Sequence, residues 1–412
     1  MDAPSKIVII GGGQAGAEAA TLLRQNGFEG RVSLIGEEDA LPYMRPPLSK
    51  GFLAGEVGRE ALIYKNATVY GKARIELRLG VRVEEIGRRD KTLLLNDGNE
   101  AGYDKLILAI GGRARPLLVP GANLRNIFYL RTIADVEALQ PHMVSGRRLV
   151  IVGGGYVGLE AAAVAVKRGL DVTVLESAPR VLARVTAPAL SQFYEDTHRK
   201  AGVAIRTGEM VSAFAGKNGE VAAVLCGNGS SFAADFVLIG IGLVPNTELA
   251  ERAGLIVDDG IVVDAASRSS DPDIYAIGDC AMHSNHGFLL RKIRLESVPN
   301  ALDQARAAAA AIMGRPTPKA SVPWFWSDQY DLKLQMVGIS EGHDDVVIRG
   351  ETQTSSFVVF YLKAGQLIGA DAVNRPGDFM AAKRLVGDRI KVSPARLADD
   401  NVSLKLLIQA AA

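Results

Sequence analysis

The sequence predicts an α/β fold in which a strand–turn–helix–strand unit followed by a β-meander occurs twice, with an αβ segment closing the chain. Two observations carry that prediction: a glycine-rich turn that recurs, and the short β-type runs, set off by turn residues, that trail each copy. Residues 6–37 read KIVIIGGGQAGAEAATLLRQNGFEGRVSLIGE. This is a β-branched run, a glycine turn, a helical stretch stopped by Gly27 and a second strand ending in Glu37. The pattern returns 142 positions later as LVIVGGGYVGLEAAAVAVKRGLDVTVLE, with a helix stopped at Gly169 and a strand closed by Glu176. Residues 11–20 and 153–162 agree at seven of ten positions, which marks an internal duplication.

Gly11, Gly13 and Gly16, and again Gly153, Gly155 and Gly158, fit G-x-G-x-x-G. In that motif the first glycine allows the sharp turn, the second lets backbone approach a pyrophosphate at the helix N-terminus, and the third lets helix and strand pack closely. Glu37 stands 21 residues after Gly16 and Glu176 stands 18 after Gly158, the distance at which a carboxylate can bond ribose hydroxyls. A lone triplet is often only a loop; two, each with strand, helix and acid in place, predict two Rossmann-like dinucleotide-binding domains. After the first copy come the runs Val81 to Ile86, Thr92 to Leu95 and Leu106 to Ile110, with an Asp97-Gly98 turn. After the second come Val211 to Ala215, Val221 to Cys226 and Phe236 to Ile241, with turns at Asn218-Gly219 and Asn228-Gly229. Because the two copies have different surroundings, the economical expectation is one bound cofactor and one exchanging nicotinamide.

Composition bounds the alternatives. The 412 residues carry 47 Lys and Arg against 46 Asp and Glu, so no global charge draws the chain to nucleic acid or an anionic membrane. Two cysteines, Cys226 and Cys280, exclude a disulfide framework, a C-x-x-C pair and a thiolate-bound cluster built on this chain alone. The longest near-apolar window, Leu149 to Val166, holds four glycines and Glu160, which suits a strand, a turn and a buried helix better than a membrane span. The opening Met-Asp-Ala-Pro carries an acid where an export signal would be basic, so a soluble cytoplasmic protein is expected. The five histidines show no metal-ligand spacing, and no metal is assigned.

Four further motifs complete a resemblance: RPPLSK at 45–50, LILAIGG at 106–112, IYAIGDC at 274–280 and PWFWSDQY at 323–330. With the two glycine turns they make the chain resemble, over nearly its full length, the FAD-dependent, NADH-utilising ferredoxin reductases of bacterial oxygenase systems, the putidaredoxin-reductase-like group. The resemblance implies a discontinuous FAD domain at 1–113 and 246–320, an NADH domain at 114–245, and a C-terminal αβ domain at 321–412.

It also implies site residues, each with an ordinary structural role as the alternative. The two prolines of RPPLSK read as a rigid, extended turn. Arg45 lies in this flavin-side motif, and Lys50 is implied to lie beside the flavin and pair with Glu160 on the second glycine-motif helix; otherwise Lys50 is a solvated charge and Glu160 complements a helix N-terminus. Glu18 holds the equivalent place in the first copy. Asp279 is implied to hold the ribityl chain, against a turn aspartate satisfying its own backbone. Ser297-Val298-Pro299 reads as a helix start that could face the flavin pyrimidine carbonyl, placing Val298 at the cofactor. Arg131 resembles a contact to FAD, and Trp326 is implied to lie against the nicotinamide and flavin rings, whereas Trp324 is as readily explained by packing. Cys280 reads as a small buried residue.

The expected activity is therefore transfer of a hydride from NADH to FAD, followed by single-electron delivery to a [2Fe–2S] ferredoxin, in a monomer or weak homodimer. A disulfide reductase is nearly excluded because residues 38–52 contain no cysteine. Reduction of rubredoxin or monodehydroascorbate stays open, as does an apoptosis-inducing-factor-like redox-sensing role, although no basic run for nucleic acid is seen. Two local basic stretches, Arg291, Lys292 and Arg294, and Lys383 to Arg396, are the expected docking surfaces for an acidic ferredoxin.

Overall fold

The computed structural model describes residues 4–284, 289 and 291–409, so Ala410, Ala411 and Ala412 lie outside the described residues. The chain forms two compact units. The first comprises residues 1–44, 59–113 and 244–323, and the second residues 45–58, 114–243 and 324–412. The excursion 45–58, which carries RPPLSK, is thus grouped with the second unit and not with the glycine turn it follows in sequence.

In the first unit five strands form a parallel sheet in the order Ile274–Ala276, Lys105–Leu108, Lys6–Ile10, Arg31–Gly36, Ile75–Leu79. Strand residues alternate between two cores. Ile7, Ile9, Val32, Leu34, Ile107 and Tyr275 face the helices Gln14–Gln25 and Val298–Ile312, while Val8, Ile10, Ile35, Leu106 and Leu108 face the meander Val83–Gly87, Thr92–Leu95, Glu100–Gly102. Both faces are covered, as parallel sheets require. The two helices meet through Ala15, Ala19, Ala20, Ala301, Ala305, Ala308 and Ala309, whose small side chains permit a close approach. Ser297 caps Val298–Ile312, its hydroxyl accepting from the Asn300 N–H, with proline in the first turn.

The second unit repeats the plan: Ala204–Thr207, Asp171–Glu176, Arg148–Val152, Phe236–Ile239 and Ile127–Tyr129 form a parallel sheet, with the helix Tyr156–Lys167 after the glycine turn. Val150, Val152, Leu175, Val237 and Ile239 pack against Val211, Phe214, Val221 and Val224 of the meander Val211–Lys217, Glu220–Cys226, Ser231–Ala233. The C-terminal segment adds an antiparallel sheet in the order Trp324–Gln329, Leu332–Gly338, Gln366–Val373, Ser356–Lys363, Asp345–Glu351, with the helix Pro376–Gly387 against it. Among the described residues no helix is long and apolar enough to cross a membrane.

Candidate active site

The two glycine turns are near copies. Gly11 adopts φ +116° and Gly153 φ +110°, and a Cβ on either would lie 2.1 and 2.4 Å from the Ala109 and Gly240 carbonyl oxygens. Only glycine fits there. A Cβ on Gly16 or Gly158 would stand 2.2 Å from the carbonyl oxygen of Gly11 or Gly153, so the third glycine seats the helix on its own turn. Gly13 and Gly155 differ from these: nothing lies within 4 Å of where their Cβ would be. Each precedes a helix whose first N–H groups receive no side-chain cap. Both turns therefore keep an open space lined by backbone donors at a helix N-terminus, the shape and polarity a pyrophosphate needs.

In the first unit the IYAIGDC turn comes back to this place. A Cβ on Gly278 would lie 3.2 Å from the Cβ of Ala15 and 3.9 Å from that of Ala301, so the turn that carries Asp279 lies against the first turns of the first glycine-motif helix and of Val298–Ile312. The turn is pinned by the Gly278 N–H, which donates to Gln304 Oε1 at 2.7 Å. Gly11, Gly13, Gly16, Asp279 and Val298 are thus brought together. Glu37 is mostly exposed, 3.7 Å from Arg82.

The acids of the two copies occupy different places. The register pairs Ile10 with Ile35 and Val152 with Leu175, so Glu176 is the counterpart of Gly36, and Glu37 stands one residue further on. Glu176 accepts from the Gly154 N–H at 2.7 Å and the Ala178 N–H at 2.8 Å, which fixes its carboxylate against the glycine turn. Arg180, four residues on, donates to Ser191 Oγ and to the Ala183 carbonyl and is held within its own loop.

Glu18 and Glu160, equivalent in the repeat, are both captured by a lysine from elsewhere in the chain. Glu18 accepts from Lys65 at 2.9 Å and Tyr64 at 2.8 Å. Burial raises its carboxyl, but the hydrogen bonds from Lys65 and Tyr64 outweigh this and leave it below its ordinary value. Glu160 is 4% exposed and pairs with Lys50 at 2.8 Å, with further hydrogen bonds from Ser49 and, at 2.6 Å, from Ser327. The serines were not legible as partners because they lie 111 and 167 residues away in sequence, although both sit inside motifs already singled out, RPPLSK and PWFWSDQY.

The extended turn expected for RPPLSK is corrected. Pro46–Ser49 is a one-turn 3-10 helix, and Arg45 before it adopts φ −80°, ψ −30°. A proline's fixed φ suits a helix start as well as an extended chain, and its missing N–H is not needed there. The Arg45 carbonyl accepts from the Leu48 N–H at 2.9 Å, which closes the turn, while its guanidinium donates to the Arg131 carbonyl at 2.6 Å. Trp326 stacks near Trp324, ring centroids 5.6 Å apart, and Trp324 packs against Phe379 beneath Lys383. The basic run at 291–294 is less available than its sequence suggests: Lys292 pairs with Asp258, and Arg294, 9% exposed, pairs with Asp259 and Glu296. Cys226 and Cys280 are buried thiols, each pushed up to about 11 by burial. Among the described residues no group of His, Cys, Asp and Glu could hold a metal ion.

The family model described as pyridine nucleotide-disulphide oxidoreductase matches residues 5–305, and a reductase C-terminal model matches residues 324–408. The chain belongs to the pyridine nucleotide-disulphide oxidoreductase family. It is 46% identical over 417 residues to putidaredoxin reductase of Pseudomonas putida, covering 100% of this chain and 98% of that one. It is likewise 46% identical to the 5,5'-dehydrodivanillate O-demethylase ferredoxin reductase subunit of a Sphingobium species, covering 98% of each. The solved covalent putidaredoxin reductase–putidaredoxin complex contains a chain that matches with TM-score 0.96 at 46% identity, covering 100% of this chain and 99% of that one. Within this family the chain is a putidaredoxin-reductase-like enzyme, a flavoprotein oxidoreductase that uses FAD and a nicotinamide nucleotide. Its two cysteines, Cys226 and Cys280, are free and buried.

Proposed function

We propose that this chain is a cytoplasmic NADH:ferredoxin reductase, carrying electrons from NADH through FAD to a [2Fe–2S] ferredoxin that serves an oxygenase. The observation that carries the reading is the pair of open glycine cradles, one per unit, in a chain that offers no exposed thiol. We assign FAD to the first cradle, with Gly11, Gly13, Gly16, Glu37, Asp279 and Val298, and NADH to the second, with Gly153, Gly155, Gly158 and Glu176. For Arg45, Lys50, Glu160, Arg131 and Trp326 we keep the cofactor-side roles the resemblance implies, and for the domains the boundaries 1–113 with 246–320, 114–245 and 321–412.

Bound flavin supplies the conversion of a two-electron donor into single-electron steps. The protein's own part is positioning and charge. Backbone N–H groups after Gly13 and Gly155 hold pyrophosphate; Glu176, fixed by Gly154 and Ala178, offers acceptors to ribose hydroxyls and repels a 2′-phosphate. Lys50, anchored by Glu160, offers a fixed cation. The test is turnover of the holoenzyme with NADH and, in turn, a [2Fe–2S] ferredoxin, rubredoxin and monodehydroascorbate. A kcat/KM for ferredoxin at least about tenfold above the others supports the reading, and faster rubredoxin or monodehydroascorbate reduction overturns it.

A further inference from the structure

Behind Glu160 a line of buried polar side chains runs through the second unit. Ser327 and Gln329 lie two apart on the strand Trp324–Gln329 and so project from the same face. Ser327 Oγ bonds Glu160 Oε1 at 2.6 Å, Gln329 Nε2 bonds Ser327 Oγ at 3.2 Å, His198 Nε2 lies 2.9 Å from Gln329 Oε1, and the Tyr330 hydroxyl lies 2.9 Å from His198 Nδ1. Ser327, Gln329 and His198 are at most 1% exposed.

Chemistry fixes the direction of every link. A carboxylate only accepts, so Ser327 must spend its one proton on Glu160. Its oxygen then receives a donor, which orients the Gln329 amide with nitrogen toward Ser327 and oxygen toward His198. That oxygen needs a donor, so His198 carries its proton on Nε2, leaving Nδ1 to accept from Tyr330. Burial lowers the imidazole below its ordinary value more than the Gln329 hydrogen bond raises it, consistent with a neutral ring. All donors point the same way and end on Glu160, an arrangement in which each bond polarises the next.

We propose that Tyr330, His198, Gln329 and Ser327 form a directed hydrogen-bond relay that aims the Glu160 carboxylate at Lys50, making them positioning residues for the NADH-to-flavin step. The proposal rests on the reading of Lys50 given above. Its logic is geometric: Lys50 and Ser49 engage Glu160 Oε2 while Ser327 holds Oε1, so the carboxylate plane is set from both ends.

The experiment compares holoenzymes of wild type, Lys50→Ala, Ser327→Ala, Ser327→Thr and Gln329→Glu by stopped-flow flavin reduction over a range of NADH concentrations. Ring-15N NMR of histidine-labelled protein is recorded in parallel. Ser327→Ala should lower the limiting rate about 3- to 10-fold with the NADH dissociation constant unchanged, Ser327→Thr should recover most of it, and Gln329→Glu, which cannot donate to Ser327, should resemble Ser327→Ala. Wild-type His198 should be neutral with its proton on Nε2 at pH 7, and doubly protonated in Gln329→Glu. Wild-type rates in Ser327→Ala and Gln329→Glu beside a slow Lys50→Ala would overturn the relay alone, as would a His198 proton on Nδ1. A wild-type rate in Lys50→Ala would bring down the Lys50 reading and the proposal with it.

Discussion

The two glycine-motif helices begin alike and end in different company. Gln14–Gln25 is covered by Val298–Ile312, alanine against alanine, whereas Tyr156–Lys167 is covered by the Pro46–Ser49 turn with Lys50 after it and by the strand Trp324–Gln329, which bring serines, a lysine and aromatic rings. Glu18 and Glu160 hold the same place in the repeat, yet the partly exposed Glu18 is tied by Lys65 and Tyr64, and the buried Glu160 by Lys50, Ser49 and Ser327. A duplicated sequence thus specifies a duplicated cradle, and the cover supplied by distant segments decides what each copy's glutamate does.

The largest effect should come from the open glycines. Gly13→Val should abolish FAD retention and Gly155→Val should abolish saturable reduction by NADH, each with the fold preserved, because a Cβ at either meets no protein atom within 4 Å. Gly11→Val and Gly153→Val are poorer probes, since each would collide with a carbonyl oxygen and strain a positive φ. Flavin absorbance after gel filtration and circular dichroism separate the two outcomes; full FAD occupancy in Gly13→Val would break the equivalence of the cradles.

Next in size is the contrast between the lysines. Lys50→Ala removes the cation from a 4%-exposed carboxylate and should cost about 2–3 kcal/mol and slow flavin reduction by NADH. Lys65→Ala, which leaves Tyr64 on a more exposed Glu18, should cost about 1 kcal/mol and leave that rate unchanged. Equal kinetic effects would erase the distinction between the copies.

The two covers should also respond differently to pH. Asp371, in the sheet over the second copy, has no cation partner among the described residues; it accepts from Tyr361, whose hydroxyl also bonds Thr186 and the Ala187 N–H. Burial pushes its carboxyl up to about 7, more than the Tyr361 hydrogen bond lowers it. A folded value above the unfolded one near ~3.9 means its stabilising contribution is complete below pH ~4 and is lost as pH rises to about 7. Asp371→Asn should therefore be more stable than wild type at pH 8, by up to a few kcal/mol, with the advantage gone by pH 4. Thermal melts across this range check it, and a parallel shift at every pH would refute the assignment.

The smallest effect is expected at the surface. Lys292 and Arg294 are already paired with acids, so replacing Arg291, Lys292 and Arg294 by Ala should change the ferredoxin reduction rate by less than about threefold at low salt. A larger, salt-screened loss would restore this run as a docking surface.

The duplicated turn, the acid at the end of each second strand, the cap at Ser297 and the first two strands of each meander were legible in the sequence because each is local, whereas the runs from Leu106 and Phe236 join the parallel sheets and the short strands Glu100–Gly102 and Ser231–Ala233 close the meanders instead. Where local rules competed, the reading failed, as in the RPPLSK segment, whose prolines permit both an extended chain and a helical turn. Charge read along the chain also missed that Lys292 and Arg294 pair with Asp258 and Asp259, over thirty residues away in sequence.

By itself, then, the sequence determined that there are two cradles and where each opens, since only glycine at 11, 153, 16 and 158 can make the turn and seat the helix on it. The partners of Glu18, the two serines that join Lys50 on Glu160, the offset between Glu37 and Glu176, and the direction of the relay from Tyr330 were decided by the tertiary structure alone. The physical reason is range. Backbone conformation is set by neighbouring residues, whereas burying a carboxylate demands donors, and the chain is free to bring those from any distance.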